Sequence, residues 1–88
     1  MEKRIQRKFI KEVESRGGRA VKFHAEARRG WPDLLILMPG GRVLFVEVKT
    51  PTGRLHPLQE RVIGQIRELG CEVYVCSDLE EFKRILKV

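Results

Sequence analysis

Two carboxylates and an amine stand where they could act together: Asp33, Glu47 and Lys49. Asp33 opens an apolar run, Leu34–Met38, and Glu47 and Lys49 close a second one that begins at Val43. Between the runs lies Pro39-Gly40-Gly41, a break that reads as a β-hairpin turn. Side chains alternate along a strand, so Glu47 and Lys49 share a face with Val43 and Phe45, while Leu44, Val46 and Val48 face the other way. The turn then decides where Asp33 falls. A two-residue Gly40-Gly41 turn would pair Asp33 with Val48 and send its carboxylate to the wrong face. A three-residue loop pairs Met38 with Arg42 and Asp33 with Glu47. Pro39 suits the second position of a type I turn, and Gly41 suits the left-handed conformation that closes a bulge. Directly opposed residues lie about 4.5–5.5 Å apart at Cβ, so the two acids would share one small volume beside a lysine. Such a cluster is costly unless something uses it, and a divalent cation held by oxygen ligands is the simple answer.

The elements that must position these groups are legible from periodicity. Residues 2–16 carry Ile5, Phe9 and Val13 at helical spacing, with Ile10 beside them, and Gly17-Gly18 ends the segment. Glu2 projects onto the centre line of that stripe, Glu12 onto its edge and Glu14 behind it. On position alone, Glu2 more often complements a helix N-terminus from the solvent. Residues 19–25 read as a strand, with Ala20, Lys22 and His24 on one face and Val21, Phe23 and Ala25 on the other. Lys22 is a better candidate for a phosphate contact than His24, since a lone strand histidine is more often structural. Arg28 and Arg29 sit in the following loop, where they would either grip a phosphate or remain solvated. Trp31 would stack on a base or cap the core. Beyond the hairpin, residues 50–56 form a loop carrying Arg54, and Pro57 suits the first turn of a helix over 57–69. Its stripe is Leu58, Val62, Ile66 and Leu69, with Ile63 alongside, and Gln59 projects near the strand end that bears Lys49. Residues 71–76 read as a further strand. Ser77 or Asp78 can cap a last helix, 79–87, with Leu79, Phe82, Ile85 and Leu86 inward.

The order α-β-β-β-α-β-α, with central strands apolar on both faces, predicts an α/β fold with a mixed sheet flanked by helices on both sides. Eighty-eight residues make one domain, 1–88, small enough that dimerisation would help its stability. The net charge of +6 favours a polyanionic partner, nucleic acid being the common one, over a basic surface without a role by no margin on charge alone. No apolar run reaches the length of a membrane span, nothing resembles a signal peptide, and a cytoplasmic setting is expected. Cys71 and Cys76 lie on one predicted strand and on opposite faces, so they cannot pair with each other. They also lack zinc-ligand spacing and read as buried thiols.

Pro32-Asp33 followed by Glu47-Val48-Lys49 resembles the PD-(D/E)XK nuclease superfamily, whose core is restriction-endonuclease-like. Glu2 before Ile5-Gln6, Gly30-Trp31-Pro32-Asp33, Phe45-Val46-Glu47-Val48-Lys49, Gly53-Arg54-Leu55 and Pro57-Leu58-Gln59 together resemble its VRR-NUC group (virus-type replication-repair nucleases), in the compact stand-alone form. His56 departs from the small capping residue expected there. The resemblance implies that Asp33, Glu47 and the Val48 carbonyl ligate Mg²⁺ or Mn²⁺, and that Glu2 completes the acidic cluster. It implies that Lys49 orients or deprotonates the attacking water and that Gln59 supports the site. It further implies a homodimeric endonuclease cutting DNA, branched or Holliday-junction DNA first, with Lys22, Arg28, Arg29 and Arg54 as DNA contacts. Two other expectations compete: a non-catalytic nucleic-acid-binding module on the same fold, and a subunit interaction domain whose charge is incidental.

Overall fold

The computed structural model describes residues 2–23 and 29–87. In chain order the elements are α1 (Glu2–Ser15), β1 (Arg19–Lys22), β2 (Leu34–Met38), β3 (Arg42–Val48), α2 (Pro57–Glu68), β4 (Glu72–Cys76) and α3 (Leu79–Lys87). The expected element order and the mixed sheet are both present, with bounds within a residue or so of those predicted for most elements. The first strand is shorter than predicted: it ends at Lys22, and His24 and Ala25 lie outside the described residues.

The four strands lie in the order β1-β2-β3-β4. β1, β2 and β3 are antiparallel neighbours and β4 runs parallel to β3. A parallel step needs a crossover, and α2 supplies it. The hairpin register pairs Met38 with Arg42 and Leu34 with Val46, the pairing a three-residue loop requires. The turn itself differs from the expected type I. Gly40 at its third position has φ +88, and the Gly41 N–H donates to the Met38 carbonyl at 3.2 Å. A positive φ at that position belongs to a type II turn, which Pro39 followed by glycine favours. Gly41 is left-handed as expected, with φ +84.

α1 and α3 cover one face of the sheet. Their core is Phe9, Val13, Phe82 and Leu86 against Leu34, Ile36, Leu44, Val46 and Val48. The Phe9 and Phe82 rings stack at 4.2 Å between centroids. α2 covers part of the other face, packing Val62, Ile63 and Ile66 on Val73, Phe45 and Val75. The stripe predicted for this helix needs correction, because Leu58 is 39% and Leu69 83% exposed. Leu69 falls past the last helical residue, and the turn of Leu58 overhangs a cleft instead of the sheet. Cys71 is exposed because β4 begins one residue later, whereas Cys76 is buried as expected.

Candidate active site

β2 and β3 carry the site because their register leaves no alternative. Continuing the Leu34–Val46 pairing by one step sets Asp33 opposite Glu47. Asp33 is fixed at the strand mouth by its own carboxylate, since Oδ2 accepts the Val48 N–H at 2.8 Å. That bond ties the approach to β2 to the end of β3. Glu47, on the α2 side, is 2% exposed.

Burying a carboxylate this deeply demands partners. Glu47 Oε2 has two: it accepts Gln59 Nε2 at 2.9 Å and lies 3.4 Å from Lys49 Nζ. Oε1 is buried without a hydrogen-bond partner among the described residues. Loss of water, then the nearby Asp33 charge, pushes the Glu47 carboxyl up to about 7, with Lys49 opposing. The Asp33 carboxyl is also raised, chiefly by burial and partly by Glu2, while the Val48 N–H and Lys49 pull it down.

Gln59 occupies the first turn of α2 and works at both ends of its amide. Its Oε1 accepts the His56 N–H at 2.8 Å while its Nε2 holds Glu47. His56 thus takes the capping position in extended backbone despite its size, because Gln59 satisfies its N–H from within the helix. Projection along the helix places Gln59 near the strand end that bears Lys49, and the resemblance implies its supporting role; its two-sided bonding depends on helix placement that spacing along the chain does not report.

Glu2 opens α1, exposed yet close enough for its charge to raise the Asp33 carboxyl. Among the described residues no three His, Cys, Asp or Glu side chains converge as a ready metal cage. Asp33 and Glu47, whose Oε1 is unpartnered among the described residues, offer carboxylate oxygens of the kind that hard cations such as magnesium prefer. Of the proposed DNA contacts, Arg29 and Arg54 are exposed on loops at the Asp33–Lys49 end of the sheet. Lys22 is exposed at the same end, but its register partner is Leu34, so it leans toward the α1 and α3 side. Arg28 and His24 lie outside the described residues. Trp31 packs edge-on against Phe23 and Phe45, centroids 6.0 and 5.9 Å away, and still exposes 37% of its surface.

Residues 3–78 match the sequence model of the VRR-NUC domain. The chain belongs to the VRR-NUC family. Within it, this VRR-NUC chain is 38% identical over 82 residues to a protein of Acyrthosiphon pisum secondary endosymbiont phage 1 named "Putative nuclease p44", a match covering 93% of this chain and 87% of that one. A solved structure described as a VRR-NUC domain superposes with a TM-score of 0.87 at 32% identity, covering 98% of this chain and 94% of the other.

Proposed function

We propose that this VRR-NUC protein is a metal-dependent DNA endonuclease. The observation that carries the proposal is Glu47: a carboxylate buried beside Asp33 and Lys49, with one oxygen held by Gln59 and the other unpartnered among the described residues. Structure alone would not keep so expensive a group, because an apolar side chain of similar size would cost less. A substrate-loaded cation would satisfy it.

Asp33, Glu47 and the Val48 carbonyl would hold Mg²⁺ or Mn²⁺, with Glu2 reaching in from α1. The cation would supply an activated water and neutralise charge on the phosphate. Gln59 keeps the Glu47 carboxylate from rotating away. Lys49 Nζ, already 3.4 Å from Glu47 Oε2, offers a point charge to the attacking water or a phosphate oxygen. Arg29, Arg54 and Lys22, with Arg28, would meet the DNA backbone, in keeping with the net charge of +6.

Branched DNA, such as a Holliday junction, is the proposed substrate and a homodimer the proposed assembly. Support for the dimer comes from Val21, Leu37 and Val43, exposed on three adjacent strands as an apolar patch that self-association would cover. A two-fold assembly would nick two strands symmetrically.

Cleavage of matched linear, nicked, flap and four-way-junction DNA tests these claims, with Mg²⁺ or EDTA. Wild type cuts only with the metal, and Glu47→Ala or Lys49→Ala lowers the rate at least 100-fold, a loss typical of removing a catalytic group. Tight binding without cutting of any form would instead identify a binding module. Equal cutting of all forms would remove the junction preference.

A further inference from the structure

The endonuclease reading leaves without a role a cavity that adjoins the Glu47 site. A cleft of ≈ 280 Å³ lies between residues 29–30 and the start of α2, lined by Arg29, Gly30, His56, Leu58 and Gln59. Gln59 belongs to both places: it lines the cleft and holds Glu47 Oε2 at 2.9 Å. The cleft therefore opens one side chain away from the buried carboxylate.

Its walls differ in chemistry. Leu58 exposes 39% of its surface there, although Val62, Ile63 and Ile66 of the same helix are buried. Gly30, at φ +81, lays bare backbone against the helix so closely that a Cβ would stand 2.8 Å from Leu58 Cγ and 3.1 Å from the Leu58 carbonyl oxygen. At the rim, the exposed Arg29 guanidinium and His56 imidazole offer hydrogen-bond donors and flat surfaces. Apolar wall, donors at the mouth and a neighbouring phosphodiester-cleaving centre match one ligand shape: a flat ring with acceptor edges, tethered to a phosphate. The volume is at the lower end for small-ligand sites, about 300 Å³, and admits one nucleotide unit but no duplex.

We propose that this cleft receives a single unpaired nucleobase of the DNA strand next to the scissile phosphate, so that cleavage favours DNA with an unpaired nucleotide at the cut. The proposal rests on the endonuclease reading and sharpens its substrate class. A base still paired and stacked must be extruded at a cost of a few kcal/mol, which is least where the pairing is already broken, as at a branch point or bulge.

The test uses one sequence in two forms, fully paired and with a one-nucleotide bulge at the cut, and measures the ratio of cleavage rates with Mg²⁺. Wild type cuts the bulged form at least 10-fold faster. Leu58→Trp, which fills the cleft from an exposed position, brings the ratio near one, and Arg29→Ala lowers it several-fold. In a Lys49→Ala background, 2-aminopurine as the bulged base changes emission at least twofold on binding, and adding Leu58→Trp removes the change. Equal rates on the two forms, or an unchanged ratio in Leu58→Trp, overturns the proposal while the endonuclease reading stands. Absence of cutting on either form by wild type overturns the endonuclease reading, and the cleft's role in cleavage with it.

Discussion

Glu47 sets the balance between stability and chemistry at the scale of one residue. The fold raises its carboxyl from the ordinary value near 4.5 to about 7, by burial first and by Asp33 second. A raised carboxyl binds its proton more tightly in the folded chain than in the unfolded one. The contribution of Glu47 to the stability of the metal-free protein is thus fullest below pH 4.5, falls as pH rises toward 7, and levels off above. The loss amounts to at most about 3 kcal/mol. Glu72 works in another window: its bond to Arg42 pulls its carboxyl down to about 2, so its contribution is lost only as pH falls below 4.5. Urea unfolding in EDTA at pH 5 and pH 8 measures the Glu47 effect. Glu47→Gln should flatten the decline, and saturating Mg²⁺ should restore the wild type at pH 8 by about 2.7 kcal/mol at 100-fold excess over Kd. A wild type equally stable at both pH values would contradict the burial argument. Asp33, Glu47 and Lys49 were legible in the sequence because strand alternation and one loop length settle their face. The orphaned Glu47 oxygen was not, since it depends on which group reaches Oε2 from α2.

At the scale of elements, α2 is both the crossover between parallel strands and the support of the site. Its position depends on the backbone of Gly30, which sits where a Cβ would meet Leu58 Cγ at 2.8 Å and Val62 Cγ2 at 3.0 Å. The φ of +81 there adds strain for any L side chain. Gly30→Ala should therefore cost about 1–3 kcal/mol, and tilting the helix start should also move Gln59 off Glu47. Thermal unfolding would show a Tm lower by roughly 4–8 °C per kcal/mol for a domain of this size. An unchanged Tm would mean that the loop can move away from α2 freely. Here the sequence reading was half right: periodicity found the helix and Val62, Ile63 and Ile66, but assigned Leu58 and Leu69 to the core. Periodicity reports which residues share a side and not where the neighbouring sheet ends. Arg42 escaped notice for a related reason. It spans three elements, binding Glu72 through Nε and Nη2 and the Ile85 and Leu86 carbonyls through Nη1, and no local spacing announces such a clamp.

The whole molecule depends on α3, which lies beyond the residues 3–78 matched by the family. Chains this small bury a modest fraction of their surface, so each core element matters. α3 contributes fully buried Phe82, stacked on Phe9 at 4.2 Å, and Leu86, and Arg42 ties its last turn to β3. Without it, one face of Leu34, Ile36 and Leu44 would lose its cover, and those residues align the strands that pair Asp33 with Glu47. The amphipathic pattern of residues 79–87 announced this helix; the ring stacking across α1 did not show until both helices lay on one face. Phe82→Ala should cost about 3–5 kcal/mol, the usual range for truncating a buried aromatic. Total stability for 88 residues is on the order of 4–13 kcal/mol, so the variant would lose a large fraction of it. Its urea midpoint should fall sharply while the denaturant slope stays constant. Cleavage, measured at a temperature where the variant remains folded, should return to near the wild-type rate. A loss of rate in the folded variant would show instead that α3 shapes the site directly.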